Sequence, residues 1–190
     1  QAAGKINALP LDVGVVVHTG DISSDNLHVE ETGAAVSNLL SVIRAPLLCA
    51  PGNHDLLAKG ANAETRFAKC VDVYTRYIGP LGQVYETKGV VFIAPYTEPL
   101  RGQSSDVSIP GFDPLAWLGE QLERSGGKPV FIFTHTPDGE DFYDNALHPG
   151  WPEPNRSAWR RTLAKGNVQA VVAGHYHRDE IKQDPDGMLG

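Results

Sequence analysis

The sequence predicts an α/β protein built on a mixed sheet, and three observations carry that expectation. The apolar run 13–17, a helical pattern through Val29, Gly33, Val36, Leu40 and Ile43, and the apolar run 47–50 make up a β-α-β unit. Runs 84–87 and 90–94 are joined at Lys88-Gly89 as in a hairpin, which brings antiparallel pairing into the sheet. From Asp113 onward helix and strand alternate as far as Ala173. At 190 residues and 41% hydrophobic the chain can bury one sizeable core, so residues 1–190 are expected to form a single domain.

Each further element has its own signal. Residues 61–77 carry Phe67, Cys70, Val71 and Tyr74 on one helical stripe. Asp113 followed by Pro114 is a strong helix start, Leu115, Leu118 and Leu122 share a face, and Gly126-Gly127 supplies the stop. A strand over 130–133, a helix over 155–165 and a strand over 168–173 complete the pattern. Segment 136–154 breaks it with four prolines, two glycines and three aspartates, and reads either as a lid over a substrate or as a surface loop packed on its own aromatics.

Composition excludes several functions. A net charge of −7 and a pI of about 5.4 argue against gripping a nucleic-acid duplex through its phosphates. No apolar stretch approaches the roughly 18 residues that span a bilayer, so no membrane partner is expected, and a soluble, cytoplasmic chain is favoured. Cys49 and Cys70 are too few for a disulfide framework and read as small buried hydrophobes.

The polar clusters follow the strands. Run 13–17 leads into His18-Thr19-Gly20-Asp21, run 47–50 into Pro51-Gly52-Asn53-His54-Asp55, run 130–133 into His135, and run 168–173 into Gly174-His175-Tyr176-His177. Pro-Gly-Asn-His-Asp alone is compatible with a plain turn. In α/β sheets, however, the C-terminal strand ends collect ligands on one side. Asp21, Asn53, His135, His175 and His177 could therefore converge, and their oxygen and nitrogen donors, with no thiolate among them, suit divalent Mn, Fe, Zn or Co. A carboxylate such as Asp21 can also bridge two ions, and the glycines before Asp21, Asn53 and His175 are expected to turn the backbone tightly enough to aim each side chain.

Gly20-Asp21, Gly52-Asn53-His54-Asp55, His135 and Gly174-His175-Tyr176-His177 resemble, in order, the motifs of the calcineurin-like metallophosphoesterases. No Tyr follows Gly20-Asp21 within three residues, which sets the chain apart from the purple acid phosphatase branch. The resemblance implies a metallophosphatase-type four-layer sandwich, two mixed β-sheets flanked by helices. It implies two metal ions, Mn, Fe or Zn, and hydrolysis of a small phosphoester, a monoester or diester such as a nucleotide, by a metal-activated hydroxide. Asp21 would bridge, Asn53, His135 and His175 would complete one ion's ligands, and His177 would serve the other. His54 would protonate the leaving oxygen or touch the phosphate, with Asp55 holding the imidazole.

One family motif, Asp-x-His, occurs nowhere in the 190 residues. The opening residues, with Ile6 and Leu9, look like the tail of the helix that would follow the strand carrying it, so the chain is expected to be truncated at its N-terminus. The second metal site is then incomplete, and the competing reading is a non-catalytic binding or scaffold protein on the same fold. The oligomeric state is not legible.

Overall fold

The computed structural model describes residues 2–57, 62–102, 108–139 and 150–177, together with 179, 181 and 183. The elements run α1 (Ala2–Asn7), β1 (Val16–His18), α2 (Glu30–Leu40), β2 (Leu47–Cys49), α3 (Ala63–Tyr77), β3 (Gln83–Thr87), β4 (Val90–Ala94), a 3-10 turn (Glu98–Arg101), α4 (Pro114–Arg124), β5 (Val130–Thr134), α5 (Asn155–Leu163) and β6 (Val168–Ala173). Among the described elements, hydrophobic periodicity did not signal the 3-10 turn or α1, the latter expected from the family resemblance alone. Strand β1 starts later than the apolar run because Pro46, at the start of its partner, has no N–H and only its carbonyl joins the ladder, accepting from Val16 N–H at 2.8 Å.

Strands β1 and β2 pair in parallel, with Val17 opposite Leu48. The second sheet runs β3-β4-β5-β6 and is mixed: β3 and β4 are antiparallel, and the other pairs are parallel. The hairpin turns at Lys88 and Gly89, both left-handed with φ of 51° and 79°, which is the backbone that matches strand twist in a two-residue turn. At the start of α4 the Asp113 carboxylate accepts the N–H groups of Leu115 and Ala116 at 2.8 and 3.1 Å, capping the helix as its sequence predicts.

Alternate side chains on the strands separate the core into layers. Cys49 faces α3, where Phe67, Cys70, Val73 and Tyr74 are buried. Leu48 and Ala50 face the other sheet through Ala94, Tyr85 and Phe92. On the far side Val91, Ile93, Val130 and Ile132 pack under Leu118, Leu122, Trp159 and Leu163 of α4 and α5. The order is helices, two-stranded sheet, four-stranded sheet, helices, which is the expected sandwich. Both cysteines are free and buried, and burial pushes the Cys49 thiol up to about 12, consistent with a packing role. No helix of the described residues is long and apolar enough to cross a membrane.

Candidate metal centre

The loops after β1, β2, β5 and β6 meet at His135. Its side chain is 2% exposed, and its Nδ1–H donates to the Thr19 carbonyl at 2.8 Å. That bond fixes the tautomer and leaves a lone pair on Nε2. Around Nε2 lie Asn53 Oδ1 at 2.9 Å, Asp21 Oδ2 at 3.1 Å and His175 Nδ1 at 3.2 Å. Asp21, His135 and His175 offer ligand atoms that all fall within 4.8 Å of one another. Lone pairs turned towards one another at such distances need a proton or a metal ion between them. Donors bound at about 2.1 Å to one ion and set at right angles lie about 3.0 Å apart, so this donor set fits a divalent metal.

The backbone bears strain at these positions. Asp21 and His175 are left-handed, with φ of 55° and 68°, a region that costs a residue with a Cβ about 1 to 2 kcal/mol. The glycines act differently from one another. Gly20 itself turns left-handed at φ 94°, as expected from sequence. Gly52 and Gly174 are not left-handed; each opens a tight turn, its carbonyl accepting from Asp55 N–H at 3.2 Å and Tyr176 N–H at 2.8 Å respectively, and each also serves close approach: a Cβ on Gly52 would strike the backbone and carboxylate of Asp21, and one on Gly174 would sit 3.0 Å from Thr19 Oγ1.

Electrostatics support cation binding. Burial favours neutral His135, but the hydrogen bond and charge of Asp21 outweigh it and raise its pKa. Burial likewise opposes charge on Asp21, yet His135 and the His54 N–H leave its carboxyl below the ordinary value. A proton therefore competes for Nε2 and is released when a metal enters. Burial, then the charge of His135, lowers the His18 pKa, and neutral His18 accepts the Gly20 N–H through Nδ1 at 3.2 Å, holding the turn.

Four of the five residues expected as ligands come together: Asp21, Asn53, His135 and His175. His177, also left-handed at φ 52°, is exposed and joins no group of three potential ligands among the described residues. Residues 140–149 of the 136–154 segment, His148 included, lie outside the described residues, as does Arg178. The described ends of that segment are fastened by Trp151 N–H to Asp138 O at 3.0 Å and by Tyr176 Oη–H to Gly139 O at 3.0 Å.

Asp55 requires a correction. The carboxylate beside the imidazole of His54 is Asp25, whose Oδ1 lies 2.6 Å from His54 Nδ1. Asp55 is fully buried and turned away: Oδ1 accepts from Ser23 N–H at 2.8 Å and Ser23 Oγ–H at 3.2 Å, and Oδ2 from Gly52 N–H at 2.9 Å. It ties the loop after β1 to the loop after β2. Asp55→Ala is expected to lower stability by about 2 to 4 kcal/mol, because two buried N–H groups lose their acceptor. Urea unfolding of the metal-free protein measures this, and an unchanged midpoint would refute the assignment.

Two residues near the centre escaped the sequence. Asp25 lies four positions after Asp21, and a second carboxylate in the same strand-end loop was the available signal. Glu98 is 4% exposed, accepts from Thr136 Oγ–H at 2.9 Å and pairs with Arg101 at 2.9 Å, anchoring the backbone just after His135. No periodic pattern marks it.

Comparisons with known proteins bear on the family and the fold. The calcineurin-like phosphoesterase family model matches residues 4–179. Among solved structures the chain is similar to a dimetal phosphatase from Danio rerio, with a TM-score of 0.57 and 18% identity over 93% of this chain and 71% of that one. No curated protein matches the chain.

Proposed function

The chain belongs to the calcineurin-like phosphoesterases, and from that membership we propose that it hydrolyses a small phosphoric ester at the centre formed by Asp21, Asn53, His135 and His175. The observation that carries this reading is the convergence of three donors, from Asp21, Asn53 and His175, on a fourth, the His135 Nε2 whose tautomer is fixed by Thr19 O. When bound, a divalent ion supplies Lewis acidity towards the phosphoryl oxygens and makes water more acidic. The protein's own contribution is orientation. The Asp21 Oδ1 is held by the His54 N–H at 2.9 Å, which leaves Oδ2 turned to the centre. His54 is half exposed, with Asp25 on Nδ1, so Nε2 is free to give a proton to a leaving oxygen. Asp21 and His177 would serve a second ion, with fewer ligands and weaker hold than the first. Substrate is a phosphomonoester or phosphodiester, a nucleotide among the candidates, and the metals are Mn, Fe or Zn.

The absence of Asp-x-His from these residues favours a second reading, a metal-binding protein that does not turn over. The two are separated by stripping the protein expressed from its complete reading frame of metal, restoring Mn²⁺, and assaying p-nitrophenyl phosphate and bis(p-nitrophenyl) phosphate. Hydrolysis of either that depends on Mn²⁺ is expected. Full loading of the centre with no hydrolysis of either would establish the binding protein instead.

A further inference from the structure

We infer that Arg66, reaching from the first turns of α3 to the carbonyl of Asp25, is a positioning residue that keeps Asp25 against His54 and so aims the imidazole proposed to protonate the leaving oxygen. This rests on the hydrolytic reading above and adds a residue that no sequence motif marks.

Asp25 and His54 are 44% and 45% exposed, so water competes for their 2.6 Å contact unless both partners are held from elsewhere. His54 is held by its own N–H, which donates to Asp21 Oδ1. Asp25 needs another support, because its backbone is left-handed at φ 61°, a conformation that a residue with a Cβ leaves readily when contacts are lost. Its N–H donates to His54 O at 3.2 Å, its Oδ1 faces His54 Nδ1, and its carbonyl accepts from an Arg66 terminal N–H. The last bond is the one that reaches outside the two strand-end loops. Arg66 springs from a rigid base, since the next residue, Phe67, and then Cys70, Val73 and Tyr74 are buried on α3.

A purely structural arginine would be expected to pair with a carboxylate. Among the described residues none forms a salt bridge with Arg66, and its Nε is buried with no hydrogen-bond partner. Among the described residues the half-buried guanidinium is thus incompletely satisfied and makes one directed side-chain bond, to the backbone of Asp25. Such an arrangement fits control of orientation better than gain of stability. No hydrogen bond or ion pair among the described residues joins Arg66 to Asp21, Asn53 or His135, so its effect is separable from metal binding.

The test compares wild type, R66M and R66K, each expressed from the complete reading frame, with fold checked by circular dichroism and bound Mn²⁺ by elemental analysis. Long-range proton–nitrogen NMR reads the tautomer of His54 without reference to activity. With diamagnetic Zn²⁺ in the centre, wild type is expected to keep Nδ1 protonated against Asp25, so that the second proton of the ring, the one available to a leaving oxygen, sits on Nε2, and R66M to show a mixture of tautomers in the neutral ring with metal content unchanged. In assays R66M is expected to lose about tenfold to a hundredfold in kcat on phenyl phosphate, less on p-nitrophenyl phosphate, with little change in KM, and R66K to recover part of the loss. If R66M does not fold, the smaller tautomer shift and kcat loss of R66K decide the question. An unchanged tautomer together with an unchanged leaving-group dependence overturns the assignment. A wild type that hydrolyses neither ester counts against the phosphoesterase reading alone, and the NMR comparison still decides whether Arg66 positions His54.

Discussion

Replacing His54 with alanine is expected to lower turnover by about 10² to 10⁴ while metal content stays unchanged, the range a positioned proton donor contributes. The side chain of His54 is not among the atoms around His135 Nε2, and what His54 gives the centre is a backbone N–H to Asp21, which alanine retains. The loss therefore falls on chemistry and not on assembly. It should be largest for esters with poor leaving groups, where the departing oxygen needs its proton most. Alkyl and p-nitrophenyl phosphates assayed side by side provide the measurement. An equal loss on both would remove the proton-donor role and leave only stabilisation of charge.

The other large effect belongs to His135. Its Nε2 is the atom around which Asn53, Asp21 and His175 are gathered, and its Nδ1–H is the bond that turns the lone pair inward. His135→Ala removes the hub and leaves three donors with nothing between them, so Mn²⁺ affinity is expected to fall by more than about 10²-fold, beyond what loss of a supporting contact to a ligand typically costs. Equilibrium dialysis at neutral pH measures it, with circular dichroism confirming that the fold survives. His177→Ala is the contrast: exposed and outside the group, it should leave the tight site nearly untouched. Comparable losses in the two variants would mean that the four-donor centre has been drawn in the wrong place.

The candidate donors were legible because they follow the strand ends. Once β-α-β periodicity places the strands, Asp21, Asn53, His135 and His175 stand at strand C-terminal ends, and the sheets bring those ends together. The hairpin at Lys88-Gly89 and the Asp113 cap were legible for local reasons, turn geometry and a short polar side chain before proline. The His54 partner was not. Asp55 is its chain neighbour, but in a tight turn successive side chains leave in different directions, and the carboxylate that meets His54 comes from 29 residues away. Gly52 and Gly174 open tight turns as their sequence suggests, and their missing Cβ against Asp21 and Thr19 adds a tertiary contact with no local signature. Arg66 and Glu98 act through single directed bonds across the fold, which no spacing rule registers.

The central claim is that Asp21, Asn53, His135 and His175 hold one divalent ion. Its most direct test is anomalous diffraction from a crystal of the protein equilibrated with Mn²⁺. The account predicts a strong peak about 2.0 to 2.3 Å from Asp21 Oδ2, Asn53 Oδ1, His135 Nε2 and His175 Nδ1 together. No peak at saturating Mn²⁺, or a peak that leaves His135 Nε2 outside its coordination, would contradict it.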